Sequence, residues 1–271
     1  NLLTALISLA LTTSSCNSLD ETVPPSGSPL QVSVTTGTLQ SRTLVTGTTM
    51  PTNATMGVTV LASGGGAYST GTFDNLKYTT TDGSTFSTTT APSLVSAEAK
   101  AAAYYPWADD TDITAVPVTT AAQTDYMYSG WYTGLKDSNP QAKFNMKHAL
   151  AAVRIGVQKS AGYTPTATLT AVSATSDAFY ASATLDATSS TGTLSGLTGA
   201  GAVLEKTSLS QALSTSPYTT DFLVVPGTSA QTITFTVTIG GSDYTATTAA
   251  VNLQQGAIHS YTLTLSAEGL A

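Results

Sequence analysis

Apolar residues alternate with polar ones in several short stretches, and this alternation constrains the fold more than any other feature. Between residues 233 and 239, Ile, Phe, Val and Ile alternate with Thr. The same period of two occurs at 30–34, 153–157 and 261–265. Successive side chains of a strand point to opposite faces of a sheet, so each stretch predicts a strand with one buried face. Several short strands separated by turns predict an all-β fold of the sandwich type.

The length of the chain indicates two such sandwiches. It has 271 residues, of which 41% are hydrophobic and 9% charged. A chain of this composition can bury a core, and it is longer than one compact sandwich usually needs. We predict an N-terminal sandwich over residues 30–138 and a C-terminal sandwich over 139–271. The boundary is placed at the turn-forming residues Asp-Ser-Asn-Pro at 137–140.

The first residues are typical of an export signal. Residues 1–11 form an apolar run that is short for a bilayer span but suits the core of a signal peptide. Small residues then precede Cys16, the single cysteine, as at the lipidation site of bacterial lipoproteins. We predict that residues 1–16 are a partial lipoprotein signal with Cys16 lipidated, and that the Pro/Ser-rich residues 17–29 are a tether. The alternative is a secretory signal cut elsewhere, with Cys16 an incidental thiol.

Charge and motifs argue against nucleic-acid binding and catalysis. A formal net charge of −7 repels phosphate backbones. We expect His148 in the core or at an interface and His259 exposed, and the common nucleophile, metalloprotease and phosphate-loop motifs are missing. Asp109, Asp110 and Asp112 offer oxygen ligands of the kind that calcium prefers, but solvated turn acids are the simpler interpretation. We therefore predict that the protein is not an enzyme and has no cofactor and no metal site.

Four local motifs, in this order, span almost the whole exported chain. They are VSV at 32–34 running into LQSRT at 39–43, AAYYPW at 102–107 followed by QTDYMY at 123–128, FNMKHALA at 144–151, and FLVVPG at 222–227 followed by QGAIHSY at 255–261. With them the chain resembles the fimbrillin-like family, the subunits of type V pili in Bacteroides-type bacteria. Each motif alone is weak, and their common order makes the resemblance specific.

The resemblance implies two tandem transthyretin-like β-sandwiches, export as a lipoprotein to the outer membrane, and assembly with other pilus subunits into a fimbria. It also implies that an Arg-specific surface protease cuts after the first strand, here between Arg42 and Thr43. The removed strand would carry Leu30, Val32 and Val34, and a strand of a neighbouring subunit would refill the groove by β-strand addition. Without the resemblance, Arg42 would be interpreted as an ordinary exposed arginine.

Other roles stay open at this point. Relatives usually continue past the last strand, so the chain is either clipped at its end or is a tip or anchor subunit. A different class of function is a non-polymerising surface lipoprotein that binds host or microbial glycans through aromatic rings. The aromatic residues concerned are Tyr104, Tyr105, Trp107, Tyr126, Tyr128, Trp131 and Tyr132. A flat row of exposed rings would support sugar binding, whereas buried rings would pack the core or the seam between the sandwiches.

Overall fold

The structure, a computed structural model, describes residues 27–37 and 48–271. Within these ranges the chain forms 22 strands in four sheets and no helix. The all-β prediction is therefore confirmed. No helix in this part of the chain is long and apolar enough to cross a membrane.

The strands of the N-terminal half build one large sheet and one small one. The strands are β1 (Ser28–Pro29), β2 (Gln31–Thr36), β3 (Thr55–Ala62), β4 (Phe73–Thr79), β5 (Thr85–Phe86), β6 (Ser93–Leu94), β7 (Ala99–Tyr105), β8 (Val116–Thr119), β9 (Met127–Tyr128), β10 (Tyr132–Leu135) and β11 (Gln141–His148). The N-terminal sheet has the order β4-β3-β7-β9-β11-β2-β5, and β10 pairs with β7 beside this path. β1 and β6 form a separate two-stranded sheet.

The N-terminal sheet curls until its two ends meet. Thr79, at the end of β4, and Ser87, directly after β5, donate backbone hydrogen bonds to each other at 2.9 Å. The curled sheet encloses the N-terminal core, which contains Met56, Tyr78 and Phe144. Inward and outward residues alternate along β2 and β11, because the period-2 pattern places every second side chain in this core.

The C-terminal strands form two sheets. The strands are β12 (Ala151–Lys159), β13 (Thr168–Thr175), β14 (Phe179–Asp186), β15 (Thr193–Ala200), β16 (Leu204–Lys206), β17 (Gln211–Ala212), β18 (Tyr218–Pro226), β19 (Thr234–Ile239), β20 (Ser242–Thr247), β21 (Ile258–Ser266) and β22 (Gly269–Leu270). The large C-terminal sheet has the order β15-β14-β18-β12-β21-β22, with β8 paired to β14. The small C-terminal sheet has the order β16-β13-β19-β20, with β17 paired to β13.

The clearest alternation of the sequence lies in β19. Phe235, Val237 and Ile239 of this strand are buried in the C-terminal core, which the two C-terminal sheets share. Gly240 and Gly241 join β19 to β20, and both have positive φ, at 59° and 85°. A two-residue hairpin turn of this kind requires the left-handed region at both positions, which glycine adopts without strain. The strand prediction for residues 233–239 is thus confirmed.

A third cluster of buried residues, the middle core, joins the two halves. It contains Tyr104 and Tyr128 from the N-terminal half and Leu185, Leu223 and Val225 from the large C-terminal sheet. The strand β8 belongs to the first half of the chain but pairs with β14 of the second. The two halves are therefore held together by a packed apolar interface and by a shared sheet.

The change from one set of sheets to the other does not coincide with the predicted boundary at 138/139. β11 begins at Gln141 and pairs with β2 and β9 of the N-terminal sheet, and the first C-terminal strand begins at Ala151. The residues at 137–140 form a tight turn before β11, in which the Asn139 N–H donates to the Lys136 carbonyl at 2.9 Å. Asn and Pro mark a reversal of the chain, but they do not distinguish a turn within one sheet from a link between domains.

Candidate functional site

The first long strand, β2, carries the three side chains that the sequence predicts as the plug of a groove. Leu30, directly before β2, and Val32 and Val34 within it are 4%, 2% and 3% exposed. All three belong to the N-terminal core. We call the space they occupy, between β11 on one side and the segment containing β5 on the other, the first-strand groove. That the strand is removable stays a prediction.

The groove holds the strand backbone by hydrogen bonds on both sides. Toward β11, the N–H groups of Gln31 and Gly37 donate to the carbonyls of Pro140 at 2.9 Å and Met146 at 3.2 Å. Toward the other side, the N–H groups of Leu30, Val34 and Thr36 donate to the carbonyls of Pro92 at 2.9 Å, Ser84 at 2.8 Å and Thr48 at 3.3 Å. β2 runs parallel to β11 over its whole length, whereas β5 pairs with it only at Val32 and Ser33.

Apolar contacts and backbone hydrogen bonds both stabilise the strand in the groove. Burial of a Val or Leu side chain contributes about 1.5–3 kcal/mol relative to its exposed state. Each backbone hydrogen bond contributes about 0.5–1.5 kcal/mol net. A different strand with apolar residues at alternate positions can make both kinds of contact. Backbone hydrogen bonds do not depend on the side chains, and the core requires only apolar side chains of suitable volume.

Three predicted site residues lie outside the described residues. Cys16 belongs to residues 1–26, and Arg42 and Thr43 belong to residues 38–47, which connect Gly37 to Thr48. Lipidation at Cys16 remains a prediction from the signal segment, and cleavage between Arg42 and Thr43 remains a prediction from the resemblance. The described residues on either side, Gly37 and Thr48, lie beside the C-terminal end of β2, where the Thr36 N–H donates to the Thr48 carbonyl at 3.3 Å.

A buried histidine contacts that end of β2. His148, the last residue of β11, is 4% exposed, so the expectation of a core or interface histidine is confirmed. Its Nδ1 lies 2.9 Å from Oδ2 and 3.0 Å from Oδ1 of Asp125, which is also buried. Its Nε2 lies 3.3 Å from the carbonyl oxygen of Gly37. Burial raises the pKa of the Tyr105 phenol, and the charge of Asp125 raises it further.

The pairing of His148 with Asp125 was not predicted from the sequence. The parity of β11 could have placed His148 inside, since it follows the buried Phe144 and Met146 at even positions while Lys143 and Lys147 face solvent. The contact with Asp125 depends on how β9 pairs with β11, where Met127 stands opposite His148. Periodicity along one strand contains no information on that register.

The aromatic residues do not form an exposed row. Tyr104 and Tyr128 are buried in the middle core, and the other five of the set are half-buried. Lys77 Nζ lies 4.3 Å from the centre of the Trp107 ring, and Lys100 Nζ lies 4.6 Å from that of the Trp131 ring. Lysine side chains thus lie over both indoles by cation–π contact. These positions give no support to the glycan-binding alternative.

The acidic loop has the contacts of a turn. Asp109, Asp110 and Asp112 are exposed, and Asp112 Oδ1 accepts hydrogen bonds from the N–H and hydroxyl of Thr114 at 2.8 Å. Within the described ranges, no group of three or more His, Cys, Asp or Glu residues has a metal-binding arrangement. His259 is half-buried rather than exposed; its Nε2 accepts from the N–H of Gln254 at 3.1 Å, and burial lowers its pKa.

Comparison with known proteins gives one family and one fold. The sequence model of a family described as fimbrillin-like matches residues 42–271 of this chain. A search of curated proteins found no match.

Solved structures of several Bacteroides proteins have a similar fold. A proposed cell adhesion protein from Bacteroides ovatus has a TM-score of 0.69 and 17% identity, with 90% of this chain and 95% of that chain covered. A proposed cell adhesion protein from Bacteroides uniformis has a TM-score of 0.66 and 20% identity, with 90% and 94% covered. A fimbrial protein from Bacteroides vulgatus has a TM-score of 0.50 and 12% identity, with 88% and 95% covered. At these identities the likeness shows a shared fold.

Proposed function

Because the chain belongs to the fimbrillin-like family, we propose that it is a structural subunit of a cell-surface fimbria, assembled by protease-triggered strand exchange. Family membership supports a pilus-related protein of the cell surface with a structural, non-enzymatic role. The finer points are part of the proposal: two transthyretin-like sandwiches, export through the signal at 1–16, a lipid anchor on Cys16 in the outer membrane, and other pilus subunits as partners.

The observation that carries the proposal is the position of β2. The strand contributes one row of apolar side chains to the N-terminal core, is bound along its other flank mainly by single backbone contacts, and is followed at once by the segment that contains Arg42. If a protease cuts that segment, the strand is no longer covalently tied to the rest of the chain. Its loss leaves the β11 edge with unpaired backbone groups above an apolar groove, which is the surface that an incoming strand requires.

The chain is well suited to a test with an Arg-specific protease. It has only two arginines, Arg42 and Arg154. Arg154 lies within β12, which is paired on both sides, and its Nε donates to Asp221 Oδ1 at 2.7 Å. A protease needs an extended, accessible backbone, so Arg154 is protected while the protein is folded. A single cut, with Thr43 as the new N-terminus, is expected.

The experiment uses the soluble protein from residue 17 onward, treated with the protease and run unboiled on a denaturing gel. Arg42→Ala is the matched control, and its thermal unfolding should equal that of the wild type. A new N-terminus at Thr43 with a ladder of detergent-resistant multimers, both missing in Arg42→Ala, is the expected result. A cut without multimers would contradict self-assembly, and resistance at Arg42 would contradict processing at this site.

The glycan-binding lipoprotein is not proposed as a second function. It needs a flat row of exposed rings, whereas two of the seven rings are buried, five are half-buried, and lysines lie over both tryptophans. An adhesive tip subunit would need a different surface.

A further inference from the structure

We propose that His148, oriented by Asp125, is a positioning residue that latches the C-terminal end of the first strand in its groove. The inference rests on the proposed function for its biological meaning, but the latch itself can be tested in the uncut protein. It concerns the junction between β2 and residues 38–47, where a protease cut would release the strand. The histidine belongs to the FNMKHALA motif, to which the proposed function assigns no other role.

The imidazole bridges three neighbouring strands of the N-terminal sheet. Asp125 lies two residues before Met127, the first residue of β9, His148 ends β11, and Gly37 directly follows β2. The ring thus contacts a residue near β9 through Nδ1 and a residue next to β2 through Nε2, on the two sides of β11. Gly37 is held twice there, since its N–H donates to the Met146 carbonyl at 3.2 Å and its carbonyl faces His148 Nε2 at 3.3 Å.

The chemistry of the ring suits it to this position. Both oxygen groups that face the ring, the Asp125 carboxylate and the Gly37 carbonyl, are acceptors. A ring nitrogen that carries a proton can donate to the acceptor that it faces, and Oδ2 of Asp125 lies 2.9 Å from Nδ1. A hydrogen bond in a buried site is electrostatically stronger than the same bond in water. Asp125 also fixes the plane of the ring, so Nε2 is directed at Gly37.

The position of the latch matters because the pairing with β5 ends before this part of β2. Among the described residues, β5 pairs with Val32 and Ser33, and beyond them the N–H groups of Val34 and Thr36 donate to the carbonyls of Ser84 and Thr48. A strand released from a groove frays from an end. A contact at the end next to the cut therefore controls the first step of release.

The test compares two substitutions, each of which replaces one of the two ring nitrogens. In His148→Asn the shorter side chain places its amide where Nδ1 faces Asp125, so the contact with Gly37 is lost. In His148→Gln the longer side chain places its amide where Nε2 faces Gly37, so this contact is kept. Native-state hydrogen exchange of the uncut protein is measured at Gly37 and Thr36, with the buried Val153 amide as the monitor of global opening.

In His148→Asn, exchange at Gly37 and Thr36 should accelerate roughly two- to tenfold more than exchange at Val153, the effect of losing one buried hydrogen bond. In His148→Gln, most of this local effect should be rescued. Lys147→Ala, the exposed neighbour whose Nζ donates to Ser190 O, should leave exchange at all three amides at the wild-type rate. Equal acceleration in the Asn and Gln variants, or acceleration at Gly37 only in proportion to Val153, would show that His148 is merely structural and would overturn the latch.

A second measurement separates the latch from strand exchange. A recognition site for a sequence-specific protease is inserted within residues 38–47, so the cut does not depend on Arg42, and release of the N-terminal fragment is followed with and without denaturant. Faster release in His148→Asn than in Lys147→Ala is expected. If exchange in the uncut protein responds as predicted but no variant ever yields its strand to another subunit, the latch stands and the proposed assembly mechanism fails.

Discussion

The first long strand of each half runs parallel to the last long strand of the same half, but the two first long strands have different surroundings. β2 runs parallel to β11, the last strand of the N-terminal sheet, and β12 runs parallel to β21, the last long strand of the chain. On its other side β12 pairs with β18 from Ala151 to Val157, whereas β2 has only the two-residue β5. β12 is therefore paired over most of its length on both sides, whereas β2 is paired over its length on one side and over two residues on the other.

The two strands also differ in what they bury. Along β2 every second residue is buried, so one face meets a core and the other does not. Along β12 both faces are buried: Val153 and Ile155 lie in the C-terminal core, and Ala152 lies in the middle core. A strand that serves one core can be replaced by any strand of matching alternation. A strand that serves two cores cannot, because its replacement would have to satisfy both faces.

The largest effect is expected from a matched pair of core truncations, one in each first long strand. Ile155→Ala should lower the free energy of unfolding by about 2–5 kcal/mol, because it leaves a cavity in a core that cannot collapse fully. Val32→Ala removes less volume and should lower it by about 1–3 kcal/mol in the uncut protein. Urea denaturation measures both.

The same two substitutions can be compared in the protein after protease cleavage. Once the first strand has been removed and replaced by a neighbour's strand, residue 32 is no longer part of the folded subunit. The effect of Val32→Ala should vanish there, while that of Ile155→Ala persists. A Val32→Ala penalty of unchanged size after cutting would show that the strand stays in place.

A second test concerns the coupling between the halves. Gln123 Nε2 donates to the Leu223 carbonyl at 3.0 Å, and the Leu223 N–H donates to Gln123 Oε1 at 2.7 Å. This amide completes the backbone pairing of a fully buried residue of β18. Gln123→Ala should cost about 1–3 kcal/mol, since buried backbone groups lose their partners.

Thermal unfolding of Gln123→Ala should still show a single transition, because the middle core still joins the halves. Calorimetry measures both the shift of the midpoint temperature and the number of transitions, with the isosteric Gln123→Glu as the companion variant. Two separate transitions in the wild type would contradict the coupling.

The smallest expected effect is at the turn before β5. Hydrogen bonds to the carboxylate, from the N–H groups of Thr85 and Ser84 and then from the Thr80 hydroxyl, lower the pKa of Asp82 to about 2. Because this pKa is lowered, the ionised carboxylate stabilises the turn fully at pH values above the ordinary pKa of 3.8. The stabilisation is lost as the pH falls through about 2. At pH 6, Asp82→Ala should speed amide exchange at Val34, which donates to Ser84 O.

This acceleration should shrink as the pH falls through about 2, where the wild-type carboxyl is half protonated, and should vanish below it. Exchange at Val153 in β12 should not respond to the substitution at any pH. Asp177→Ala, in the C-terminal half, serves as the control. An equal effect on β12 would contradict the separation of the two strands.

Several elements of the fold could be predicted from the sequence because their signals are local. The alternation of Ile, Phe, Val and Ile with Thr led to β19, and the two glycines after it led to a hairpin. The burial of Leu30, Val32 and Val34 followed from the same period of two. The turn at 137–140 was also recognised, but its position within the N-terminal set could not be, since a turn sequence looks the same inside a sheet and between domains.

By itself, the sequence determined the all-β class, the apolar face of each strand and the family, because alternation and motif order are written along the chain. Only the tertiary structure decided which strands are neighbours. It placed β2 beside β11, so that Gly37 meets His148 across 111 positions of sequence, and it moved β8 into the large C-terminal sheet. Pairing between distant strands depends on how all side chains fill the shared cores, and that packing is a property of the whole molecule.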